Sequence, residues 1–143
     1  MKPMTRDKWR AFLLEGTRTA KLATVCADGR PHVVPVWFDL DGDEIVFTTG
    51  KDSVKGKNIL RDPRVMISVD DENPPFAFVF IEGSAVVSEL SPAELLPWTT
   101  CLAKRYRGAA QAEAYGKRNT VEGEILVRVP LAKVTAFKGI ADW

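Results

Sequence analysis

A group of amines and hydroxyls follows a β-rich run near the middle of the chain. Its members, placed around Gly50, are Thr48, Thr49, Lys51, Ser53, Lys55 and Lys57. Glycine allows a sharp turn of the backbone, and Ser53 can cap a helix that runs to about Leu60. A helix start presents unpaired N–H groups and a partial positive charge, which suit an anion. The segment therefore predicts an anion site with a phosphate group as its ligand.

The electrostatics of a helix start give a reason to expect that ligand. Cations there are unfavourable by about 0.3–1 kcal/mol each, whereas each charge-assisted hydrogen bond to a phosphate contributes about 1.5–3 kcal/mol. Five cations and two anions lie between residues 51 and 64, in a chain whose net charge is +1. The alternative interpretation is a solvated basic helix with its lysines in water, and basic surface helices are common.

The β-rich run from Pro31 to Leu40 contains a proline, which is unusual for a central strand. Pro35 cannot donate to a ladder of hydrogen bonds, so it indicates an edge, a bulge, or a place where a flat ligand lies on the backbone. Trp37 and Phe38 add large apolar surfaces beside it. The alternative is that both aromatic residues belong to the core and the proline marks an edge strand.

Most other chemistries lack the residues that they need. His32 is the only histidine and no nucleophile motif accompanies it, so we expect a structural role. Cys26 and Cys101 match no metal or redox spacing. No glycine-rich dinucleotide or P-loop motif is present, and basic and aromatic residues are not interleaved as nucleic-acid binding requires. Hydride transfer remains open because a flavin-like cofactor supplies the chemistry itself.

The elements that must position these residues begin with a helix capped by Thr5, with Trp9, Phe12 and Leu13 on one face. Three β-rich runs follow, joined by tight turns that include Asp28-Gly29, and they predict an antiparallel meander. The runs are Thr19 to Cys26, Pro31 to Leu40 and Glu44 to Thr49.

The second half alternates strands and helices. Strands are predicted at Arg64 to Val69, at Phe76 to Ser88 with a bulge or bend at Gly83, at Glu124 to Val129 and at Lys133 to Phe137. Ser91, Pro92 and Glu94 predict a capped helix that reaches Tyr106, with a kink at Pro97 and a stop at Gly108. Another short helix is predicted at about Ala109 to Arg118.

These elements indicate a single domain over residues 1–143, mainly β with a few helices, in a closed or half-closed antiparallel barrel. No apolar run approaches the roughly 20 residues that cross a bilayer. The polar N-terminus has no apolar stretch of secretory type, and the two cysteines are distant in sequence. We therefore expect a cytoplasmic protein without membrane partners.

Residues 19 to 70 resemble the pyridoxamine-phosphate-oxidase-like split-barrel proteins, especially the flavin/deazaflavin oxidoreductases of the B type. The most specific match is the pattern Lys55-Gly56-Lys57-Asn58-Ile59-Leu60-Arg61-Asp62-Pro63-Arg64-Val65. Weaker matches are Lys21-Leu22-Ala23-Thr24, Asp28-Gly29-Arg30-Pro31-His32, Pro35-Val36-Trp37-Phe38, Phe47-Thr48-Thr49, Glu82-Gly83 and Arg105-Tyr106. The resemblance implies a six-stranded antiparallel split β-barrel.

The resemblance also implies a homodimer with two cofactor sites at the subunit interface. It places the cofactor ring along Val33, Val34, Pro35, Val36 and Trp37. It places the phosphate at Thr48, Thr49, Lys51, Ser53, Lys55, Lys57 and Asn58. Members of this type use coenzyme F-420, an 8-hydroxy-5-deazaflavin with a phosphate and a polyglutamate tail, and others use FMN. The extra cations Lys51 and Arg61 suit that tail and favour F-420.

The function that follows is an oxidoreductase that transfers a hydride between F-420 and a small conjugated organic substrate. The same chemistry on FMN is one alternative, and a non-catalytic protein that binds a flavin or a haem-type ligand is another. The C-terminus lacks the arginine-containing ending of true pyridoxamine-phosphate oxidases, so that activity is not expected. Lys57 replaces an arginine of relatives, which argues against bidentate phosphate contact there.

Overall fold

The computed structural model describes residues 1–142 and contains ten strands and four helices in that range. The strands are β1 Lys2–Pro3, β2 Ala20–Val25, β3 Pro31–Val36, β4 Asp39–Asp41, β5 Glu44–Gly50, β6 Arg64–Asp71, β7 Ala77–Ser84, β8 Val86–Ser88, β9 Glu124–Pro130 and β10 Lys133–Lys138. The helices are α1 Arg6–Leu14, α2 Val54–Arg61, α3 Pro92–Arg107 and α4 Ala112–Asn119. The fold is therefore mainly β, as the sequence predicts.

The strands form two antiparallel sheets that enclose one main core. The larger sheet has the order β1-β10-β7-β6-β2-β3, and the smaller has the order β4-β5-β9-β8. Inward side chains from both sheets and from α1 make up the core; Leu13, Phe38, Phe47, Ile67 and Val127 in it are fully buried. Because β3 pairs only with β2, Pro35 lies on an edge strand, where a missing N–H leaves no ladder incomplete.

The run from Pro31 to Leu40 does not form one strand, and this part of the prediction was wrong. The chain leaves the larger sheet after Val36 and joins the smaller one at Asp39, so Trp37 and Phe38 lie between sheets. The backbone of Phe38 finds partners on α3: its N–H donates to the Tyr106 hydroxyl at 3.2 Å, and its carbonyl accepts from Arg105 at 2.6 Å. These hydrogen bonds to α3 replace the strand-to-strand hydrogen bonds that the Phe38 backbone would make in a continuous strand.

A second crossing divides the run from Phe76 to Ser88. The break falls at Ala85, whose N–H donates to the Pro63 carbonyl, and not at Gly83 as predicted. Gly83 stays inside β7, where a Cβ would come 3.1 Å from Val129 Cγ1 on the facing sheet. The glycine therefore allows close approach of the two sheets.

The helix predictions were more accurate, except that the Thr5 side chain makes no capping hydrogen bond at the start of α1. In α1 the predicted inward residues Trp9, Phe12 and Leu13 are buried. In α3 the capping box of Ser91 and Glu94 is formed, and the helix continues through Pro97 to Arg107. None of the helices within residues 1–142 is both long and apolar enough to cross a membrane.

Helix α2 is held against the end of β5 by a close backbone contact. A Cβ at Gly56 would overlap the Gly50 carbonyl oxygen and would lie 3.1 Å from the Lys51 Cα. Ser53 caps the helix by accepting from the Gly56 N–H, and the buried Asn58 amide donates to Thr24 Oγ1 on β2 at 3.0 Å. Any side chain at position 56 must therefore move the helix start.

We expect Gly56→Ala to destabilise the protein even though alanine favours helix by about 1 kcal/mol over glycine. Overlap with a backbone carbonyl cannot be relieved by a side-chain rotation, so the free energy of unfolding should fall by about 1–3 kcal/mol. Urea denaturation measures this change. Lys57→Ala, at the next and exposed position, is the control and should change stability by less than about 0.5 kcal/mol. A Gly56→Ala variant as stable as the wild type would contradict the proposed contact.

Candidate functional site

A cavity of about 580 Å³ opens where β3 ends and α2 begins. Seven of the residues predicted for the site line it: Pro35, Val36, Trp37, Thr48, Thr49, Ser53 and Lys55. The elements α3, α4 and the start of β9 close the opposite side with Thr99, Leu102, Arg118, Asn119, Val121 and Glu124. A volume between about 300 and 1,000 Å³ is typical of small-molecule and cofactor sites.

The apolar wall of the cavity is held in place from the outside by α3. The Trp37 and Tyr106 rings are stacked, with centroids 5.0 Å apart and planes 3° from parallel. The Tyr106 hydroxyl donates to the Arg18 carbonyl at 2.7 Å while it accepts from the Phe38 N–H. Burial raises the pKa of Tyr106, so its hydroxyl stays protonated and remains a donor. The wall is thus fixed before any ligand arrives.

Arg105 completes this support. Its guanidinium donates to the carbonyls of Leu13, Gly16 and Phe38. It also lies over the Phe38 ring, 4.5 Å from the centroid. One side chain therefore joins α1, the crossing segment and α3, and the last two border the apolar side of the cavity.

The polar end of the cavity is a chain of hydrogen bonds at the turn into α2. The Ser53 hydroxyl donates to the Gly50 carbonyl at 2.7 Å and accepts from the Gly56 N–H at 3.0 Å. Since its one proton is used, the Thr49 hydroxyl, 3.1 Å away, must donate to it. Ser53 therefore shapes the turn, and free donors come from Thr48, Lys55 and the amides of the first helical residues.

Charge in the cavity comes from two cations and one carboxylate, namely Lys55, Arg118 and Glu124. The exposed Arg118 lies in the last turn of α4, and the half-buried Glu124 begins β9, opposite Gly50 in the register of the smaller sheet. Burial raises the pKa of Glu124, and the nearby Lys55 opposes that shift. No local pattern pointed to Arg118 or Glu124, because more than 60 residues separate each from the turn that it faces.

The other predicted residues lie around the cavity and not on its surface. Lys51 borders a neighbouring groove beside Gly123, and Lys57 is exposed on α2. Asn58 and Arg61 fasten α2 to β2: the Arg61 guanidinium donates to the Val25 carbonyl at 2.7 Å and to Asn58 Oδ1 at 2.8 Å. Their predicted contacts with a cofactor remain predictions.

Val33 and Val34 precede the cavity on β3 and point to opposite faces of the sheet. Val34 packs against the core, whereas Val33 is 64% exposed on the outer face. His32 lies on the inner face, opposite Thr24, and its Nδ1 is buried without a hydrogen-bond partner among the described residues. Within residues 1–142 no group of His, Cys, Asp or Glu side chains is placed to hold a metal ion.

The arrangement fits a flat ring that ends in an acidic group. Trp37, Val36, Pro35 and Leu102 offer apolar surface to a ring, and Lys55, Arg118, Thr48 and the helix amides offer charge and donors to an anion. No general acid–base or nucleophile constellation faces the cavity from the described residues. The site can therefore bind and orient such a molecule, but it would need that molecule to carry the reactive chemistry.

Comparison with known proteins agrees with this description. The family model described as pyridoxamine 5'-phosphate oxidase matches residues 5–129. A 5a,11a-dehydrotetracycline/5a,11a-dehydrooxytetracycline reductase of Streptomyces rimosus is 44% identical over 55 residues, which make up 36% of this chain and 39% of that protein. The aligned segment thus spans well under half the length of this relative.

Two solved structures share most of the fold. A conserved hypothetical protein of Mycobacterium tuberculosis is 26% identical with a TM-score of 0.81, and the match covers 95% of this chain and 86% of that chain. An F-420 reductase is 27% identical with a TM-score of 0.69, and the match covers 87% of this chain and 94% of that chain.

Because Tyr106 holds the cavity wall by hydrogen bonds and by a ring stack, we expect two substitutions there to lower stability by different amounts. Tyr106→Phe should lower the free energy of unfolding by about 1–3 kcal/mol because buried backbone groups lose their partner. Tyr106→Leu should cost a further 0.5–1.5 kcal/mol or so, since the stack on Trp37 is lost as well. Urea denaturation measures both. Tyr115→Phe, whose hydroxyl makes no hydrogen bond with the described residues, should stay within about 0.5 kcal/mol of the wild type. Equal stability of all three variants would contradict the proposed support.

Proposed function

Because the chain belongs to the pyridoxamine 5'-phosphate oxidase family, we propose that it is an oxidoreductase that binds a flavin-type cofactor in this cavity. The substrate would be a small conjugated organic molecule, and the bound cofactor would supply the hydride chemistry. The observation that carries the proposal is the union, in one cavity, of an aromatic wall fixed by α3 and a cationic, donor-bearing helix start. This pairing matches a ring system that is joined to a phosphate.

When bound, the cofactor supplies the hydride chemistry. The chain's own residues bind and orient it. Lys55, Thr48 and the first amides of α2 hold the anionic group, and the rigid turn at Gly50 and Ser53 keeps these donors in place. Trp37 and Val36 supply an apolar surface that excludes water from one side of the ring. Preorganised donors and walls of this kind need no rearrangement during the reaction.

F-420 is the cofactor that we favour, with FMN as the alternative. The F-420 reductase of the same fold supports this choice. The reductase relative is named for a dehydrotetracycline as its substrate. That compound class is consistent with a conjugated organic substrate for this chain. A binding protein without turnover would use the same cavity, so an assay of reduced F-420 with unsaturated ketones, quinones and tetrapyrroles separates the two.

We also propose that the protein is a homodimer, formed through the outer face of the larger sheet. The register places Val33, Ala23 and Met66 in one row across β3, β2 and β6. Val33 is 64% exposed and Met66 is 41% exposed, an apolar strip that a second copy would cover. Pro35, two residues beyond Val33, lines the cavity. A partner on this face would therefore reach the rim of the cofactor site.

The proposed phosphate cradle consists of Lys55, Thr48 and the first amides of α2. It predicts the effect of reversing the charge of Lys55. Lys55→Glu should weaken binding of F-420 and of FMN at least about tenfold, because a charge-assisted bond is replaced by repulsion. Quenching of tryptophan fluorescence measures the dissociation constants. Lys8→Glu, an equal change of charge on α1 away from the cavity, should leave them unchanged. The double variant Lys55→Glu/Lys57→Glu should abolish binding with the fold intact. Unaltered affinity in Lys55→Glu would remove the proposed cradle.

If the apolar strip forms the dimer interface, a charge placed in it should change the oligomeric state. Val33→Glu introduces a charge into the apolar strip, and its burial without a partner should dissociate the dimer to monomers. Light scattering on a sizing column gives the mass of each species. Val54→Glu, at another exposed valine on α2, should leave the wild-type mass unchanged. A wild-type protein of single-chain mass would contradict the proposal.

A further inference from the structure

Glu124 is a carboxylate in a cavity that we assign to an anion. It is the one acidic residue among the described residues that line the cavity. Its Oε1 lies 3.5 Å from the position that a Cβ would take at Gly50, which places it at the turn into α2. The side chain is half-buried, and within residues 1–142 it makes no hydrogen bond or ion pair. A carboxylate without a partner at the proposed phosphate cradle would repel the phosphate.

The net charge of the cavity lining decides which anion it can balance. Lys55 and Arg118 oppose Glu124, so the lining carries a net charge of +1 when all three are ionised. A lining of this charge balances a group with a single negative charge. A group with two negative charges would leave the filled cavity with excess negative charge, part of it facing Glu124.

We infer that Glu124 is a specificity-determining residue that favours a cofactor whose phosphate is a singly charged diester over one whose phosphate is a doubly charged monoester. The inference rests on the proposed function and deepens it. FMN ends in a monoester, whose second ionisation occurs near pH 6, so that it carries about −1.5 to −2 at neutral pH. In F-420 the phosphate joins the ring's side chain to the glutamate tail and is therefore a diester.

Repulsion scales with charge, which gives the expected size of the effect. The Coulomb energy between Glu124 and a dianion is twice that with a monoanion at the same place, so the factor in affinity is squared. For a partly screened pair, removal of the carboxylate charge should strengthen binding of a monoanion about threefold and of a dianion about tenfold.

Glu124 also borders the neighbouring groove, which three further charged residues line. Lys51 packs its aliphatic stem against Gly123, and Glu89 and Glu122 border the neighbouring groove. Lys55 faces Glu124 from α2, and Arg118 lines the same cavity from α4. Burial raises the pKa of Glu124, so protonation as the pH falls should weaken the preference for a diester. The monoester also gains a proton as the pH falls, which adds to that trend.

The test uses two ligands that share a ring and differ only at the phosphate: FMN and its phosphate methyl ester. Their dissociation constants are measured at about pH 8, where the monoester is a dianion, for the wild type and three variants. Glu124→Gln removes the charge and keeps the shape, and Glu124→Asp keeps the charge. Glu122→Gln makes the same change of net charge outside the cavity. F-420 is titrated alongside as the favoured cofactor.

In Glu124→Gln we expect FMN to bind about tenfold tighter and the methyl ester about threefold tighter, so the preference for the diester falls about threefold. Glu124→Asp and Glu122→Gln should keep the wild-type preference. Binding with an unchanged preference in Glu124→Gln would overturn this inference and leave the proposed function standing, as would an equal effect in Glu122→Gln. If F-420, FMN and the methyl ester all fail to bind the wild type, the proposed function falls and this inference with it.

Discussion

The structure depends on the contact between the start of α2 and the last residue of β5. Gly56 lies against the Gly50 carbonyl, which also accepts the Ser53 hydroxyl, and the Ser53 oxygen in turn accepts the Gly56 N–H. These bonds fix the direction of the first helical amides. They also fix where Lys55 can reach. The close contact of Gly56 with the Gly50 carbonyl therefore decides both the geometry and the charge of the polar end of the cavity.

The apolar end is held by a different device, which operates at a distance. The chain passes from one sheet to the other at Trp37 and Phe38, and the backbone polar groups freed by that crossing must be paired. Tyr106 and Arg105, at the end of α3, provide the partners. The same two side chains hold the cavity wall through the Trp37 stack and the contact with the Phe38 ring. These two side chains thus pair the backbone at the strand break and hold the apolar wall of the cavity.

Between these two ends lies a cavity whose charge is small. Most of the cations in the basic segment point elsewhere: Arg61 fastens α2 to β2, and the Arg64 guanidinium pairs with Asp62, lowering that carboxyl's pKa to about 2. A chain can therefore carry a conspicuous run of lysines and arginines and still present few of them to its ligand. The orientation of each side chain, and not the local composition, sets the field at the site.

The sequence by itself determined the class of fold, the side-chain caps of α2 and α3 and the turn at Gly50, because these depend on interactions between residues close together in the chain. It placed Thr48, Thr49, Ser53 and Lys55 at the cavity for that reason. It could not divide the run from Pro31 to Leu40, since the bonds that end β3 come from α3, nor could it find Arg118 and Glu124. Only the tertiary structure decided those features. The pairing of β5 with β9 brings Glu124 opposite Gly50, and Arg118 reaches the cavity from α4, although the separation of these residues along the chain leaves no local pattern.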